Sequence, residues 1–282
     1  MQGLLRRGIT AIFFVIVMLG GIYGGQYPFV ILFALITALC LWEFLSITLQ
    51  KDQKRDLIRK VIGLIFGLTP FVMIAALKLN LLSSPEDFVL FSSMLCFPII
   101  FLCFVYELFA ASKQPFSNVA FIILGMVYIG TPFALVNFIA FDGELFRANT
   151  VFGLLLLTWI NDTAAYLIGS KFGKNKLFPR ISPKKTWEGS IGGGISTLLL
   201  AGFLGYIFTA ETSQSILVWL VLGGIVVIFG SIGDLIESMF KRSFEVKDSG
   251  TLLPGHGGLL DRFDAFIFLV PFATAYILWI RF

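Results

Sequence analysis

The sequence predicts an all-α integral membrane protein with about nine transmembrane helices, and three observations support this fold class. Of the 282 residues, 57% are hydrophobic and only 13% are charged, whereas about 25% of the residues in an average soluble domain are charged. The mean hydropathy is +0.92. Apolar runs recur along the whole chain, and a run of about 20 apolar residues crosses a bilayer as a helix rather than as a barrel strand.

Nine apolar runs are long enough to be candidate spans. They cover residues 8–24, 27–49, 57–79, 88–111, 117–140, 150–170, 189–209, 215–240 and 261–281. The first run follows two arginines and resembles a signal peptide, but no convincing cleavage site follows it, so we interpret it as a retained helix. We divide the chain into 1–145, with about five helices of unclear role, and 146–282, with about four helices that contain the candidate functional residues described below.

Lysine and arginine are distributed unequally over the loops between these runs. With nine spans, one side of the membrane receives 18 of the 21 basic residues, and the other receives only Lys78, Arg147 and Arg281. By the positive-inside rule, the N-terminus is cytoplasmic and the C-terminus lies outside. The longest loops, 171–188 and 241–260, are then both cytoplasmic. The net charge of +4 therefore reflects topology and phosphate contact, and we expect no nucleic acid partner.

Several residues inside the runs have a structural explanation. The three cysteines, Cys40, Cys96 and Cys103, are interpreted as buried hydrophobic side chains without disulfides. Glu43 and Glu107 lie near cytoplasmic ends of their runs, where snorkelling or pairing with adjacent bases accounts for them. The small residues between Gly189 and Gly194 allow close helix packing, either inside one subunit or at a dimer interface.

Carboxylates are concentrated near the cytoplasmic ends of the last two runs. They are Asp234 and Glu237, with Ser238 beside them, and Asp261 and Asp264. Spacings of three and four residues put the members of each set on one helix face. Carboxylates that converge from two helix ends form an oxygen-rich site suited to Mg²⁺. The alternative is structural ion pairing with Lys241 or Arg262, but charge at membrane depth favours a functional role.

A glycine-rich turn, residues 254–258, precedes Asp261 and contains His256, the single histidine of the chain. Glycines allow backbone N–H groups to approach a phosphate closely, and the N-terminus of the following helix favours an anion. The alternative is a tight connection between two helices. His256 is interpreted either as a phosphate contact or acid/base group, or as a structural loop histidine.

A second polar cluster begins inside the sixth run with Asn161 and Asp162. A mid-helix Asp must face a polar interior, a partner or a metal ion. The loop that follows contains Ser182, Lys184 and Lys185, which we place at a helix entrance where adjacent lysines suit a polyphosphate. For the neighbouring basic residues Lys171, Lys174 and Lys176 we prefer the positive-inside explanation.

The segment from Ser238 to Asp264 joins these features in one extended motif. It reads Ser-x-x-Lys-Arg, then Lys247-Asp248, then Pro-x-His-Gly-Gly-x-x-Asp-Arg-x-Asp, and it resembles the signature of phosphatidate cytidylyltransferases, also called CDP-diacylglycerol synthases. Asn161-Asp162 and residues 182–189 and 233–238 also resemble shared blocks of that family. The resemblance covers about residues 155–282 with no departure at a motif position, whereas the first 150 residues are similar only in forming apolar helices.

This resemblance implies condensation of CTP with phosphatidic acid to CDP-diacylglycerol and pyrophosphate, a step of phospholipid biosynthesis. It also implies a multi-pass enzyme of the cytoplasmic (inner) membrane, a cytoplasmic active site, Mg²⁺ with a second cation such as K⁺, and a homodimer. The implied metal ligands are Asp234, Asp261 and Asp264. To these catalytic residues we add Lys185 and His256. The predicted substrate-binding residues are Asn161, Asp162, Ser182, Lys184, Lys185, Ser238, Lys241, Arg242, Lys247 and Arg262.

Two other functions compete with this prediction. A CDP-alcohol phosphotransferase would also use helix-borne aspartates and Mg²⁺, but its D-G-x-x-A-R motif does not occur in the sequence. An ion-coupled transporter could use Asp162, Asp234 and Glu237 as an ion path. Transporters usually place such sites near the midplane of the bilayer, whereas the charges here gather at one face.

Overall fold

The protein is described by a computed structural model that covers residues 2–49, 56–82, 84–212, 215–252 and 257–281. The helices are α1 Gln2–Tyr23, α2 Gln26–Thr48, α3 Asp56–Lys78, α4 Pro85–Ala110, α5 Pro115–Gly125, α6 Thr131–Ala140, α7 Ala148–Phe172, α8 Trp187–Thr212, α9 Ile216–Ile225, α10 Ser231–Ser243 and α11 Leu260–Arg281. Two π-helical turns, π1 Met126–Gly130 and π2 Val226–Gly230, join α5 to α6 and α9 to α10. Two short antiparallel hairpins pair β1 Phe141–Asp142 with β2 Leu145–Phe146, and β3 Lys176–Phe178 with β4 Ser182–Thr186.

Eight helical segments within the described ranges are long and apolar enough to cross a membrane. They correspond to the second to ninth predicted runs, and α5 with α6, and α9 with α10, each form one continuous segment through a π turn. The first run is helical too, but its apolar part is the shorter stretch Thr10–Tyr23. The chain is therefore an all-α, multi-pass membrane protein, as predicted, and the orientation of its termini stays a prediction.

Local sequence signals explain where some of these helices begin. Ser84 caps α4: its side chain accepts a hydrogen bond from the Asp87 backbone N–H at 3.1 Å, and the Asp87 carboxylate accepts one from the Ser84 N–H at 3.1 Å. Pro85 occupies the first helical position, where its missing N–H costs nothing. Such a capping box satisfies two otherwise unpaired backbone donors.

The chain forms two compact units. The first contains Met1–Phe146 together with Asp248–Arg262. Its core includes the fully buried rings of Phe29, Phe33 and Phe133, with centroid distances of 4.7 Å and 6.3 Å along that series. Segment 248–262 thus packs with the N-terminal helices, although it lies more than 100 residues beyond them in the sequence.

A buried polar cluster lies within the first unit. The Arg59 guanidinium donates from Nε to Glu107 at 2.6 Å, and both side chains are at most 3% exposed. Ser112 and Asn118 also donate to the Glu107 carboxylate. The pairing predicted for Glu107 is therefore confirmed. Glu43 has a different role, described below.

The second unit contains Arg147–Lys247 and Phe263–Phe282. Glycines allow α8 to lie against α7, because a Cβ atom at Gly189 would stand 2.7 Å from the Ala165 carbonyl oxygen, and one at Gly193 would stand 2.8 Å from that of Asn161. The small-residue stretch thus serves packing inside one subunit, the first of its two predicted explanations.

Segment 171–188 differs from the loop that the sequence predicted. Helix α7 continues to Phe172, and a β-hairpin follows in which Lys176 pairs with Thr186 and Phe178 with Ser182. Ser182, Lys184 and Lys185 therefore lie on strand β4, which leads directly into α8 at Trp187, so these residues do precede a helix but in a strand rather than a loop. A two-stranded edge tolerates Pro183 in the strand, since its missing N–H can face solvent.

The predicted state of the cysteines is confirmed for two of the three. Cys40 and Cys103 are buried and do not form disulfides, and the side chain of Cys96 is outside the described part of the structure.

Candidate active site

A cleft of about 490 Å³ lies within the second unit, between α7, the β3–β4 hairpin, the start of α8 and the start of α10. Five residues predicted to act on substrate or metal line it. They are Asn161, Asp162, Lys184, Lys185 and Asp234. The cleft therefore brings together two sequence clusters that lie about 50–70 residues apart in the chain.

Glycines hold the hairpin against α7. A Cβ atom at Gly169 would stand 2.9 Å from the Thr186 hydroxyl, and one at Gly173 would stand 2.6 Å from it. The same hydroxyl accepts a hydrogen bond at 3.2 Å from the Gly189 N–H in the first turn of α8. Thr186 thus caps α8, and Thr186 and Ser190 both line the cleft. The N-terminal end of α8, which carries a partial positive charge, consequently opens onto this space.

An ion pair joins the two clusters at the cleft. Lys185 Nζ lies 2.5 Å from Asp234 Oδ2, and the side chains are 25% and 30% exposed. Ser238 donates to the other oxygen of the same carboxylate at 3.4 Å. Three predicted site residues, one from β4 and two from α10, are thus in direct contact.

Asn161 forms part of the buried floor of the cleft. It is 4% exposed, its amide oxygen accepts a hydrogen bond from Thr197 at 3.3 Å, and its amide nitrogen donates to Ser231 at 3.5 Å. Ser231 follows the π2 turn directly. A π turn inserts an extra residue into a helix and often occurs at functional sites, and here it precedes the turn of α10 that carries Asp234.

A close approach of α10 and α11 places a second carboxylate beside Asp234. A Cβ atom at Gly233 would stand 2.6 Å from Cβ of Phe268 and 3.0 Å from the Asp264 carbonyl oxygen, so only glycine fits there. The Asp264 carboxylate is partly exposed, and the charges of Asp234, Asp162 and Lys241 lie close enough to act on it. Three carboxylates and one ammonium therefore share this part of the second unit.

Glu237, on the same helix, is completely buried and forms an ion pair with Lys241, four residues later. The structural alternative, ion pairing with Lys241, is thus observed for Glu237.

The carboxylate set is compatible with a divalent cation, although no ready-made site is visible. Among the described residues, no group of three or more His, Cys, Asp or Glu side chains has the arrangement of a metal site. Carboxylate oxygens are nevertheless the ligands that Mg²⁺ prefers, and the donor chemistry of Asp162, Asp234 and Asp264 suits it. The Mg²⁺ and K⁺ predictions stay predictions.

Asp261, the third predicted ligand, belongs to the first unit and organises segment 248–262. Its Oδ2 accepts hydrogen bonds from the Ser249 and Gly258 N–H groups, both at 2.9 Å. Gly257 has a φ of +86°, which strongly favours glycine. His256 and the residues just before it, 253–255, are outside the described part of the structure, so the predicted role of His256 stays a prediction.

The other predicted basic residues are exposed. Arg242 and Lys247 lie at and beyond the end of α10, and Arg262 lies in the first turn of α11. Their assignment to substrate stays a prediction.

Sequence reasoning missed two contributors to these arrangements. Lys176, interpreted as a topology lysine, lines the cleft because strand pairing puts it opposite Thr186. Glu43, interpreted as a snorkelling or paired residue, contacts segment 248–262. Charge and hydropathy mark the segment around Lys176 only as a loop, and strand pairing in the structure places this lysine at the cleft. No local pattern around Glu43 marks its distant partners.

Comparison with known proteins extends the resemblance over the whole chain. The model of the cytidylyltransferase family matches residues 5–280. Phosphatidate cytidylyltransferase of Staphylococcus aureus (strain COL) is 33% identical over 272 residues, which cover 94% of this chain and 95% of the relative. The enzyme of the same name from Bacillus subtilis (strain 168) is 34% identical over 272 residues, 95% of each chain.

A shorter match is more similar. Phosphatidate cytidylyltransferase of Staphylococcus haemolyticus (strain JCSC1435) is 40% identical over 171 residues, 61% of this chain and 64% of the relative.

The resemblance inferred from the motif at Ser238–Asp264 is confirmed, and it includes the N-terminal helices. The chain belongs to the cytidylyltransferase family and is a nucleotidyltransferase.

Proposed function

We propose that the protein transfers the cytidylyl group of CTP to phosphatidic acid, forming CDP-diacylglycerol and pyrophosphate for phospholipid biosynthesis. The observation that carries this proposal is the cleft of the second unit, where Lys184 and Lys185 face Asp162 and Asp234. Cations beside carboxylates suit a polyphosphate with its divalent cation. The names of the relatives, which cover nearly the whole chain, supply the substrates.

In the proposed reaction, a phosphate oxygen of phosphatidic acid attacks the α-phosphorus of CTP. The bond from this phosphorus to the oxygen that bridges to the β-phosphorus breaks, and that oxygen leaves with pyrophosphate. Both reactants are anions, so the enzyme must mainly neutralise charge and hold the groups in line. A phosphate monoester is an adequate nucleophile, so no strong general base is required. This favours a phosphate contact for His256 over a role as base.

In this proposal, two sets of basic residues bind different phosphate groups of the substrates. Lys184 and Lys185, with the N-terminal turn of α8, hold the triphosphate of CTP, and Ser182, Asn161 and Asp162 complete the nucleotide site. Lys241, Arg242, Lys247 and Arg262 attract the remaining phosphate groups, including the lipid headgroup. Lysine binds phosphate as a point charge and arginine as a bidentate donor.

Asp234 and Asp264 would hold Mg²⁺, and the family resemblance adds Asp261 to this set. Ser238 donates a hydrogen bond to Asp234 and would help to orient its carboxylate. When bound, the ion would offset negative charge on the phosphate oxygens. K⁺ is proposed as a second cation near these carboxylates.

The active site is proposed to face the cytoplasm from the inner membrane, where CTP is available. Phosphatidic acid would then enter laterally from the bilayer at the level of the headgroups. A homodimer, which the resemblance implies, is part of the same proposal.

The decisive experiment incubates purified protein in phospholipid vesicles with α-labelled CTP, Mg²⁺ and phosphatidic acid. The proposal predicts label in a lipid-soluble product that requires phosphatidic acid, with release of one pyrophosphate per product. A CDP-alcohol phosphotransferase would instead require CDP-diacylglycerol and an alcohol, and a transporter would form no lipid-soluble cytidine. Wild-type protein that forms none under these conditions would overturn the proposal.

A further inference from the structure

Glu43 lies in the apolar helix α2 and is only 7% exposed, yet its hydrogen-bond partners come from the other end of the chain. Its Oε1 accepts from the Leu259 N–H, and its Oε2 accepts from the Leu260 N–H and the Ser249 hydroxyl, each at 2.9 Å. All of these residues belong to the first unit. A helix of the N-terminal half thus binds the start of α11.

Glu43 serves as the N-terminal cap of α11, although it comes from another helix. The residue before this helix, Leu259, accepts from the Arg262 N–H through its carbonyl oxygen at 3.0 Å, but its apolar side chain cannot cap the other free N–H groups. A buried carboxylate is costly unless donors satisfy it. Here two backbone N–H groups, one hydroxyl and the positive end of the helix dipole do so.

Two glycines make room for this carboxylate. A Cβ atom at Gly250 would stand 2.5 Å from Glu43 Oε1, and one at Gly258 would collide with both Oε2 and the Ser249 hydroxyl. Gly250 and Gly258 therefore both lie close against the Glu43 carboxylate.

Ser249 links Glu43 to Asp261. Its hydroxyl donates to Glu43 while its N–H donates to Asp261 Oδ2, which also accepts from the Gly258 N–H at 2.9 Å. Asp261 follows directly on Leu260, whose N–H Glu43 accepts. Both the backbone and the carboxylate of Asp261 are thus held by a network that has Glu43 at its buried end.

We propose that Glu43 is a positioning residue for the reaction, fixing the first turn of α11 so that Asp261 presents its carboxylate correctly. This inference rests on the proposed function, through the assignment of Asp261 as a metal ligand. The Glu43 carboxylate itself touches neither substrate nor metal in this account. Its effect on catalysis passes entirely through segment 249–261.

The test compares Glu43→Gln with Glu107→Gln, a buried carboxylate of the same unit whose described contacts do not include segment 248–262. The amide introduced by Glu43→Gln would turn an N–H₂ group toward N–H and O–H donors. We expect kcat to fall at least about tenfold and the Mg²⁺ concentration for half-maximal activity to rise, with the KM for CTP little changed. Glu107→Gln should lower thermal stability but leave the Mg²⁺ midpoint of the remaining activity unchanged.

Hydrogen exchange without substrate or metal provides a readout that is independent of activity. Amides in a peptide covering 257–262 should exchange at least about tenfold faster in Glu43→Gln, and not in Glu107→Gln. Ser249→Ala removes one bond of the network, so it should change both the kinetics and the exchange rate in the same direction as Glu43→Gln, but by a smaller factor. It replaces Glu43→Gln as the test variant if Glu43→Gln fails to fold.

The outcomes separate the two proposals. Inactive wild-type protein would overturn the proposed function, while faster exchange in Glu43→Gln would still support the capping of α11. An active Glu43→Gln enzyme with wild-type kcat and Mg²⁺ midpoint would overturn the positioning role, whatever the exchange rates. Equal shifts of the Mg²⁺ midpoint in Glu43→Gln and Glu107→Gln would overturn it too, since they would indicate general destabilisation of the unit.

Discussion

Lys185 and Asp234 form an ion pair, 2.5 Å between Nζ and Oδ2, across the cleft that the β3–β4 hairpin makes with α10. The residue expected to bind phosphate is therefore the direct partner of a residue expected to bind metal. Both side chains are about a quarter exposed, and such pairs contribute roughly 0–1 kcal/mol to stability. Exchanging this pair for contacts with a phosphate and a cation would thus cost little.

Lys185→Ala should raise the apparent KM for CTP about tenfold or more, because a charge-assisted contact to phosphate is worth roughly 1.5–3 kcal/mol. Steady-state kinetics at saturating phosphatidic acid would measure this. Lys174→Ala is the matched control, since Lys174 is exposed and does not line the cleft, and its KM should stay near that of wild type. An unchanged KM in Lys185→Ala would identify Lys185 as a topology charge.

Asp264→Asn and Asp261→Asn should each lower CDP-diacylglycerol formation by at least about a hundredfold, since each would remove one anionic ligand of the metal. Expression in membranes should stay near normal. Activity per amount of folded protein is the measurement, with Glu86→Gln, an exposed acid in the first turn of α4, as the control. Substantial activity in either Asn variant would contradict its assignment as a metal ligand.

Gly193→Ala should destabilise the protein, by about 1–3 kcal/mol for overpacking. The new methyl group would stand 2.8 Å from the Asn161 carbonyl oxygen and 2.9 Å from the Ala165 Cβ, so α8 must move away from α7. Gly224→Ala is the matched control: it is also helical, and nothing lies within 4 Å of its added methyl group. It should gain up to about 1 kcal/mol from helix propensity. Thermal unfolding in detergent compares the two, and equal or higher stability in Gly193→Ala would contradict the close packing.

The spans were predictable because a long apolar run has few other solutions in a bilayer. Prediction was least successful where distant segments meet. The bonds from Glu43 connect residues 206 to 217 positions apart, and most of its donors are backbone N–H groups, which leave no residue type to recognise. Lys176 entered the cleft through strand pairing in a segment that charge and hydropathy marked only as a loop.

The candidate site itself was partly predictable, since polar residues inside apolar runs are costly and need a reason. Asn161, Asp162 and Asp234 were found in this way, and the structure places all three at one cleft. The same principle did not distinguish function from structure at Glu237, which is buried and paired with Lys241.

Arg59 and Glu107 should show strong energetic coupling, because each neutralises the other in the buried core of the first unit. Arg59→Met leaves a buried carboxylate without its cation and should cost about 3–5 kcal/mol. Adding Glu107→Leu removes that uncompensated charge, so the double variant should be more stable than Arg59→Met alone, even though it carries one more substitution. Thermal unfolding of the four proteins of this cycle measures the coupling. If the stability losses of the two single variants simply add up in the double variant, the two side chains are not coupled, which would contradict this prediction.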